Sequence, residues 1–276
     1  MHNSTTIGFI GAGNMAYALI AGLIKHNFPA ENIKVSDTNE VLLSQRQSEF
    51  NLEVFTDNAQ LVECCDVVVL AVKPQILSKV CQQIKDSIRH NSLIISIAAG
   101  VRLTDISRWL GGSSAIIRTM PNTPALLGQG ATGMSSNTIT TKEQCRLAEQ
   151  ILGSVGQCFW VDDEKLLDAV TALSGSGPAY YFLMIESMTK AGVALGLDEE
   201  TAEKLSLQTA LGAGMMANNS NDSAHQLRAK VTSPNGTTQA AIESFQDQNF
   251  ETIVSHAMRS AFDRAREIGI ELGNDE

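Results

Sequence analysis

The feature that most constrains this chain lies at its start. The short apolar run Ile7-Gly8-Phe9-Ile10 breaks into Gly11-Ala12-Gly13-Asn14-Met15-Ala16 and continues with Ala18, Leu19, Ile20, Leu23 and Ile24 at helical spacing. A strand, a glycine turn and a helix in that order form the first half of a βαβ unit, which commits the chain to a parallel sheet covered by helices. Further nearly continuous apolar runs at 33–36, 67–71, 93–97 and 115–118 alternate with segments of helical period such as Leu77, Val80 and Ile84. After the run 156–161 the strand signals stop. Helices are expected over 164–173, 178–195, 198–218 (with Asp198 as its cap) and 224–229, then from the turn 232–238 and from about Thr252. The expected architecture is an α/β Rossmann-type, doubly wound parallel sheet over residues 1–162, followed by an all-α region over 163–276.

Composition narrows the function. The 276 residues carry 20 Lys+Arg against 30 Asp+Glu, a net charge of −10, with no clustered basic patch. Such a chain repels phosphate backbones and anionic lipid, so neither nucleic acid nor a membrane surface is expected as partner. The five cysteines include no Cys-x-x-Cys, and the five histidines fall at no ligand spacing, so no metal is expected and the thiols read as reduced. No segment approaches the roughly 18 consecutive apolar residues of a spanning helix, and no basic run precedes a long apolar stretch at the N-terminus. The expectation is a cytoplasmic protein.

In its βαβ setting the glycine turn reads as a dinucleotide fingerprint. Gly11 makes the tight turn, Gly13 lets the backbone approach a pyrophosphate at the helix start, and Ala16 suits close helix-to-strand packing. The ribose reader is expected about 20 residues on, in Ser36-Asp37-Thr38-Asn39. Asp37 reads two ways there: as an acceptor for a 2′-hydroxyl, which favours NADH, or as a cap for the following helix. Ala71-Val72-Lys73-Pro74 and Ala98-Ala99-Gly100 follow strands at the sheet edge where such folds bind ligands, and their small side chains leave room for a nicotinamide. Lys73 reads either as a phosphate contact or as a solvated lysine. In the helical half, Ser174-Gly175-Ser176-Gly177-Pro178 and Thr232-Ser233-Pro234-Asn235-Gly236-Thr237-Thr238 each open a helix with small or hydroxylic residues. Such a start is either an ordinary cap or an uncharged seat for a carboxylate.

Together with Ser96-Ile97-Ala98-Ala99-Gly100-Val101 and Met120-Pro121-Asn122-Thr123-Pro124, these motifs resemble, in order and along nearly the whole chain, those of the pyrroline-5-carboxylate reductase family. The resemblance implies reduction of L-1-pyrroline-5-carboxylate to L-proline with NADPH, NADH being the alternative cofactor. By position it implies that Gly11, Ala12, Gly13, Asn14, Met15 and Ala16 hold the pyrophosphate. Ser36 would face the adenosine ribose or its phosphate, and Asn58 the adenosine. Ala71, Val72, Lys73 and Pro74 would flank the nicotinamide ribose, with Ala98, Ala99 and Gly100 beside the nicotinamide. The substrate carboxylate would lie on Ser233, Gly236, Thr237 and Thr238, with Thr238 also near the ring nitrogen as the catalytic residue, and Glu164 would line the substrate pocket. The resemblance also implies an interwoven homodimer through the helical domain and assembly of dimers into a decamer. Two departures stand out: Asn235 occupies a position where the signature has a glycine, and Asp37 leaves the family's NADPH preference open.

The chemistry is compatible. A cyclic imine carries its own basic nitrogen, so a protein that reduces it mainly has to position carboxylate and C=N against the nicotinamide. A β-hydroxyacid dehydrogenase of similar plan needs a general base, typically a lysine one or two turns into the helix after the second glycine turn, where this chain has Ala179 to Met184 and reaches its first lysine at Lys190. A cofactor-binding sensor without turnover is the remaining alternative. The apolar content of 178–218 predicts either an oligomer surface or a closed bundle.

Overall fold

In the computed structural model, which describes residues 5–273, the apolar runs become the strands of one sheet. Among the described residues these are β1 (Ile7–Ile10), β2 (Ile33–Ser36), β3 (Glu53–Phe55), β4 (Val67–Leu70), β5 (Leu93–Ser96), β6 (Ala115–Met120), β7 (Gly130–Ser136) and β8 (Gly156–Trp160). Their order is β3-β2-β1-β4-β5-β6-β7-β8. The direction of winding reverses between β1 and β4, where Ile10 pairs with Leu70, and this switch point is where an open α/β sheet leaves a crevice for a ligand.

Strands β1 to β6 pair in parallel, as expected, but β7 runs antiparallel to β6 and β8 then runs parallel to β7. The parallel expectation fails at this edge because the β6–β7 connection, residues 121–129, is shorter than the dozen or so residues that a parallel crossover requires.

Helices α1 (Asn14–Lys25), α2 (Glu40–Phe50), α3 (Asn58–Glu63), α4 (Pro74–Ile84), α5 (Leu103–Trp109) and α6 (Lys142–Leu152) cover the sheet. Alternate strand residues supply two cores. Ile7, Phe9, Val67, Val69, Leu93, Ile95 and Ile117 pack with Leu19, Ile20 and Leu23 of α1 and Ile151 of α6. Ile10, Val68, Leu70, Ile94 and Ile116 pack with Leu61 of α3, Leu77 and Ile84 of α4 and Ile106 of α5. Burial on both faces is why these strands read as continuous apolar runs rather than as alternating ones.

The helical remainder comprises α7 (Leu166–Val170), α8 (Gly177–Ala194), α9 (Glu199–Asn219), α10 (Ala224–Lys230), α11 (Thr237–Asp247) and α12 (Phe250–Gly273), with a π-helical turn at Thr171–Gly175. Asp198 caps α9 through Thr201 N at 3.0 Å, as expected. By packing, the chain divides into residues 5–176 with 261–273 as one unit, and 177–260 as the other. The break falls later than residue 162 because α7 packs on β7: a Cβ placed on Gly133 would lie 2.6 Å from Val170 Cγ1 and 3.1 Å from Leu167 Cδ2. The end of α12 joins the first unit because Leu272 and Ile268 pack into its second core. The chain ends of the two expected domains, residues 1–4 and 274–276, lie outside the described residues.

Within unit 177–260 the helices bury little. Ala202 and Ser206 of α9 are covered, whereas Tyr181, Phe182, Leu183, Leu205, Leu211, Met215 and Met216 are exposed. The described chain does not close a bundle around these side chains, and an apolar surface of this kind marks a protein interface.

Burial also sets the thiol chemistry. Cys65 and Cys81 are fully buried, and desolvation pushes each thiol up to about 12, whereas Cys64 is exposed. An acid whose folded pKa exceeds its unfolded value, near 8.5, keeps its proton in the folded state while the unfolded chain releases it, so stability falls as pH rises from about 8.5 towards 12. At pH 8 the native protein is therefore expected to alkylate Cys64 but not Cys65 or Cys81, with all three labelled after denaturation; mass spectrometry of the labelled peptides checks this.

Candidate cofactor and substrate site

At the glycine turn, Gly11 has φ +101°, and a Cβ there would lie 2.5 Å from Ala71 O, so glycine is required by conformation and by space. The turn is stitched to both neighbouring strands through Gly11 N to Ser36 O (2.7 Å) and Ala71 N to Ile10 O (2.8 Å). Gly13 differs. It has φ −67°, and a Cβ would meet no atom within 4 Å, so nothing in the protein itself requires glycine there. The open space lies at the start of α1, whose Ncap is Gly13 and whose first turn carries no acidic residue. The amides of Asn14, Met15 and Ala16 sit in the first turn, where no preceding helical carbonyl is available to them. A cradle of this kind fits a pyrophosphate. Ala16 is buried, as its packing role predicts, whereas Ala12 is buried with its N–H committed to Asp37.

The end of β2 is organised around Asp37. Both carboxylate oxygens of Asp37 accept main-chain hydrogens, Oδ2 from Ala12 N and Oδ1 from Asn39 N, each at 2.8 Å. Asn39, not Asp37, caps α2 by accepting from Leu42 N at 3.1 Å. Asp37 is thus an anchor for the glycine turn. Ser36 is fully buried and donates its hydroxyl to Asn58 Oδ1 at 2.7 Å, so the structure couples Ser36 to Asn58 at the start of α3.

At the ends of β4 and β5, Ala71 and Val72 are half-buried, Lys73 is exposed, and Pro74 opens α4 without a side-chain cap. Ala98 is buried and Ala99 half-buried. Gly100 has φ +83°, and a Cβ there would lie 2.7 Å from Ile268 Cγ2, so this glycine serves the packing of α12. The loop after β6 is held by Asn122, which donates to Ser174 O at 3.0 Å and accepts from Ala131 N at 2.9 Å.

Glu164 has strong local partners. Its Oε1 accepts from Leu103 N at the start of α5 (2.7 Å) and from Arg118 Nη1 (2.9 Å). The Arg118 side chain is 5% exposed and also faces Asp168 Oδ1 at 3.5 Å. Sequence reasoning missed Arg118, whose partners lie 46 and 50 residues away.

In the second unit, Asn235 has φ +59°, so it takes the left-handed position in place of glycine. Gly236 is the Ncap of α11, which has no side-chain cap and no acidic residue in its first turn. Ser233 and Thr237 are exposed, and Thr238 and Gly236 are half-buried. The contrast with other helices is informative. Asn39, Asp57, Thr141, Asp198 and Ser223 cap α2, α3, α6, α9 and α10, whereas α1, α4 and α11, at the three motifs expected to meet ligands, start without a side-chain cap, as do α5 and α7. Among the described residues no group of three or more His, Cys, Asp and Glu side chains could hold a metal ion, and no helix is long and apolar enough to cross a membrane.

Comparison with known proteins places this arrangement. Residues 164–268 match the family model for pyrroline-5-carboxylate reductase dimerisation, and residues 6–100 match that for coenzyme F420-dependent NADP oxidoreductase. The chain is 49% identical to the pyrroline-5-carboxylate reductase of Pseudomonas aeruginosa, covering 97% of this chain and 98% of that one. Its fold is similar to that enzyme from Coxiella burnetii (TM-score 0.93, 42% identity, 96% and 98% covered). It is also similar to the NADP-bound pyrroline carboxylate reductase of Plasmodium falciparum (TM-score 0.85, 32% identity, 97% and 99% covered). The matched dimerisation segment contains α8, α9 and α11, which carry exposed apolar side chains. A two-unit chain with an open glycine cradle, an uncapped α11 and full-length likeness to these enzymes belongs to the pyrroline-5-carboxylate reductase family.

Proposed function

We propose that this protein reduces the C=N bond of L-1-pyrroline-5-carboxylate to give L-proline, the last step of proline biosynthesis, with NADPH as reductant. The observation that carries the reading is the open space at Gly13 beside the uncapped start of α1; in the other unit α11 also starts without a side-chain cap. The amides of Asn14, Met15 and Ala16 hold the pyrophosphate, and Ala71 to Pro74 with Ala98 and Ala99 flank the nicotinamide end. Asn58, set by Ser36, meets the adenosine side. The first-turn amides of α11 at Thr237 and Thr238 hold the substrate carboxylate, aided by the positive end of the helix dipole. When bound, NADPH supplies a hydride to the imine carbon. The π electrons of C=N move to a ring nitrogen that already carries a proton, and the Thr238 hydroxyl keeps that nitrogen oriented. Glu164 acts through Arg118 and the α5 start to shape the pocket wall.

A hydroxyacid dehydrogenase is disfavoured because Lys190, the first lysine of α8, pairs with Glu186 on an exposed face. The five unpaired cysteines support a cytoplasmic setting, and assembly of dimers into a decamer extends the dimer reading. Initial rates test the function: oxidation of NADPH with pyrroline-5-carboxylate is expected, and none of NADP+ reduction with 3-hydroxyacids. A sensor would bind NADPH and leave the imine unreduced. Thr238→Ala is expected to lower kcat by roughly a hundredfold while the Kd for NADPH stays within about twofold; unchanged kinetics would remove Thr238 from the site.

A further inference from the structure

The main chain of Ala12, in the middle of the glycine turn, is held from both sides. Its N–H is donated to Asp37 Oδ2 at 2.8 Å, and its carbonyl accepts from Arg46 Nε at 3.3 Å. Arg46 comes from α2 and is itself fixed. Its guanidinium carbon lies 4.4 Å from the Tyr17 ring centroid, its Nη1 lies 3.4 Å from Glu49 Oε2, and the Tyr17 hydroxyl donates to Glu49 Oε1 at 2.9 Å. The Arg46 side chain is 12% exposed.

We infer that Arg46 is a positioning residue for the cofactor, acting through the Ala12–Gly13 peptide. A trans peptide is planar, with its C=O and N–H pointing in opposite directions, and the described chain contains no cis bond. A donor that fixes Ala12 O therefore also fixes where Gly13 N–H points and how the following amides enter α1. Asp37 does the same for the preceding peptide, so the turn is set before any ligand arrives. Glycine at 11 and 13 gives this turn its freedom, and the Arg46 and Asp37 contacts remove it again. The guanidinium also puts a positive charge beside the turn, stacked on an aromatic face that an ammonium group would match less well.

This inference rests on the cofactor assignment of the preceding section, and direct binding separates the two. If the native protein fails to bind NADPH in a fluorescence titration, the assignment itself falls. If it binds, Arg46→Met is expected to raise Kd for NADPH and NADH alike by about tenfold, in line with the loss of one charged hydrogen bond. The melting temperature should stay close to native, and kcat at saturating cofactor and KM for the imine should not change. Arg46→Lys keeps a cationic donor for the Ala12 carbonyl and is expected to recover to within about threefold of native. Arg46→Gln keeps part of the stem and gives a second reading of the same loss if the methionine variant does not fold. Unchanged binding overturns the inference. So does a loss confined to NADPH, which would make Arg46 a direct contact of the 2′-phosphate, and so does a loss that lysine leaves unrepaired.

Discussion

A Gly13→Val protein is expected to fold normally and to bind NADPH at least about a hundredfold more weakly, a loss near 2.8 kcal/mol. Three observations combine here. The backbone at Gly13, φ −67° and ψ −174°, is open to any L-residue, so valine brings no conformational strain. A Cβ there meets no protein atom within 4 Å, so nothing in the fold is displaced. That same space is where a pyrophosphate must come within hydrogen-bonding distance of the α1 amides, and a branched side chain would fill it. Far-UV circular dichroism and a thermal melt would report the fold, and fluorescence titration the binding. The contrast with Gly11 sharpens the test. Its φ of +101° and its approach to Ala71 O mean that Gly11→Ala should lose stability as well as binding. A Gly13→Val protein that titrates like the native one would falsify the fingerprint assignment.

Removing the Arg118 charge is expected to produce a large loss of stability. Arg118→Met leaves Glu164, and to a lesser degree Asp168, without the cation that compensates their partial burial. Breaking a buried pair in this way costs about 3–5 kcal/mol. The loss would extend to α5, because Glu164 also receives Leu103 N at that helix start, and a destabilised carboxylate holds it less well. Replacing both acids as well, in Arg118→Met/Glu164→Gln/Asp168→Asn, should recover much of the loss, since the cost lies in the unpaired charges. Urea denaturation measures both changes. A loss below about 1 kcal/mol for the single change would show that the pair behaves like a solvated surface bridge.

How much of this was legible in the sequence depends on how locally each feature is encoded. The central strands were plain because burial on both faces makes them continuous apolar runs. β7 was not: its residues, Gly130-Ala131-Thr132-Gly133-Met134-Ser135-Ser136, are small and polar, and only its place between β6 and β8 makes them strand. β3, three residues long at the sheet edge and partly exposed, carries too little apolar signal to be located. The turn at Asn235 was legible because asparagine tolerates positive φ. The hydrogen-bond partners of Asp37, Ser36 and Glu164 were not, because each lies remote in sequence: Ala12, Asn58, and the pair Leu103 and Arg118. The same holds for the end of α12, whose helical period gives no sign that Gly269 packs against Gly100. Period and glycine placement mark elements, whereas hydrogen bonds across the fold assign roles.

In the proposed reaction, main-chain amides at the starts of α1 and α11 hold the two reactants. A crystal structure of the protein with NADP+ and L-proline measures this directly. The pyrophosphate is expected on the amides of residues 14–16 and the proline carboxylate about 3 Å from the amides of Thr237 and Thr238. Proline bound away from residues 233–238, or a pyrophosphate that does not touch the start of α1, would contradict it.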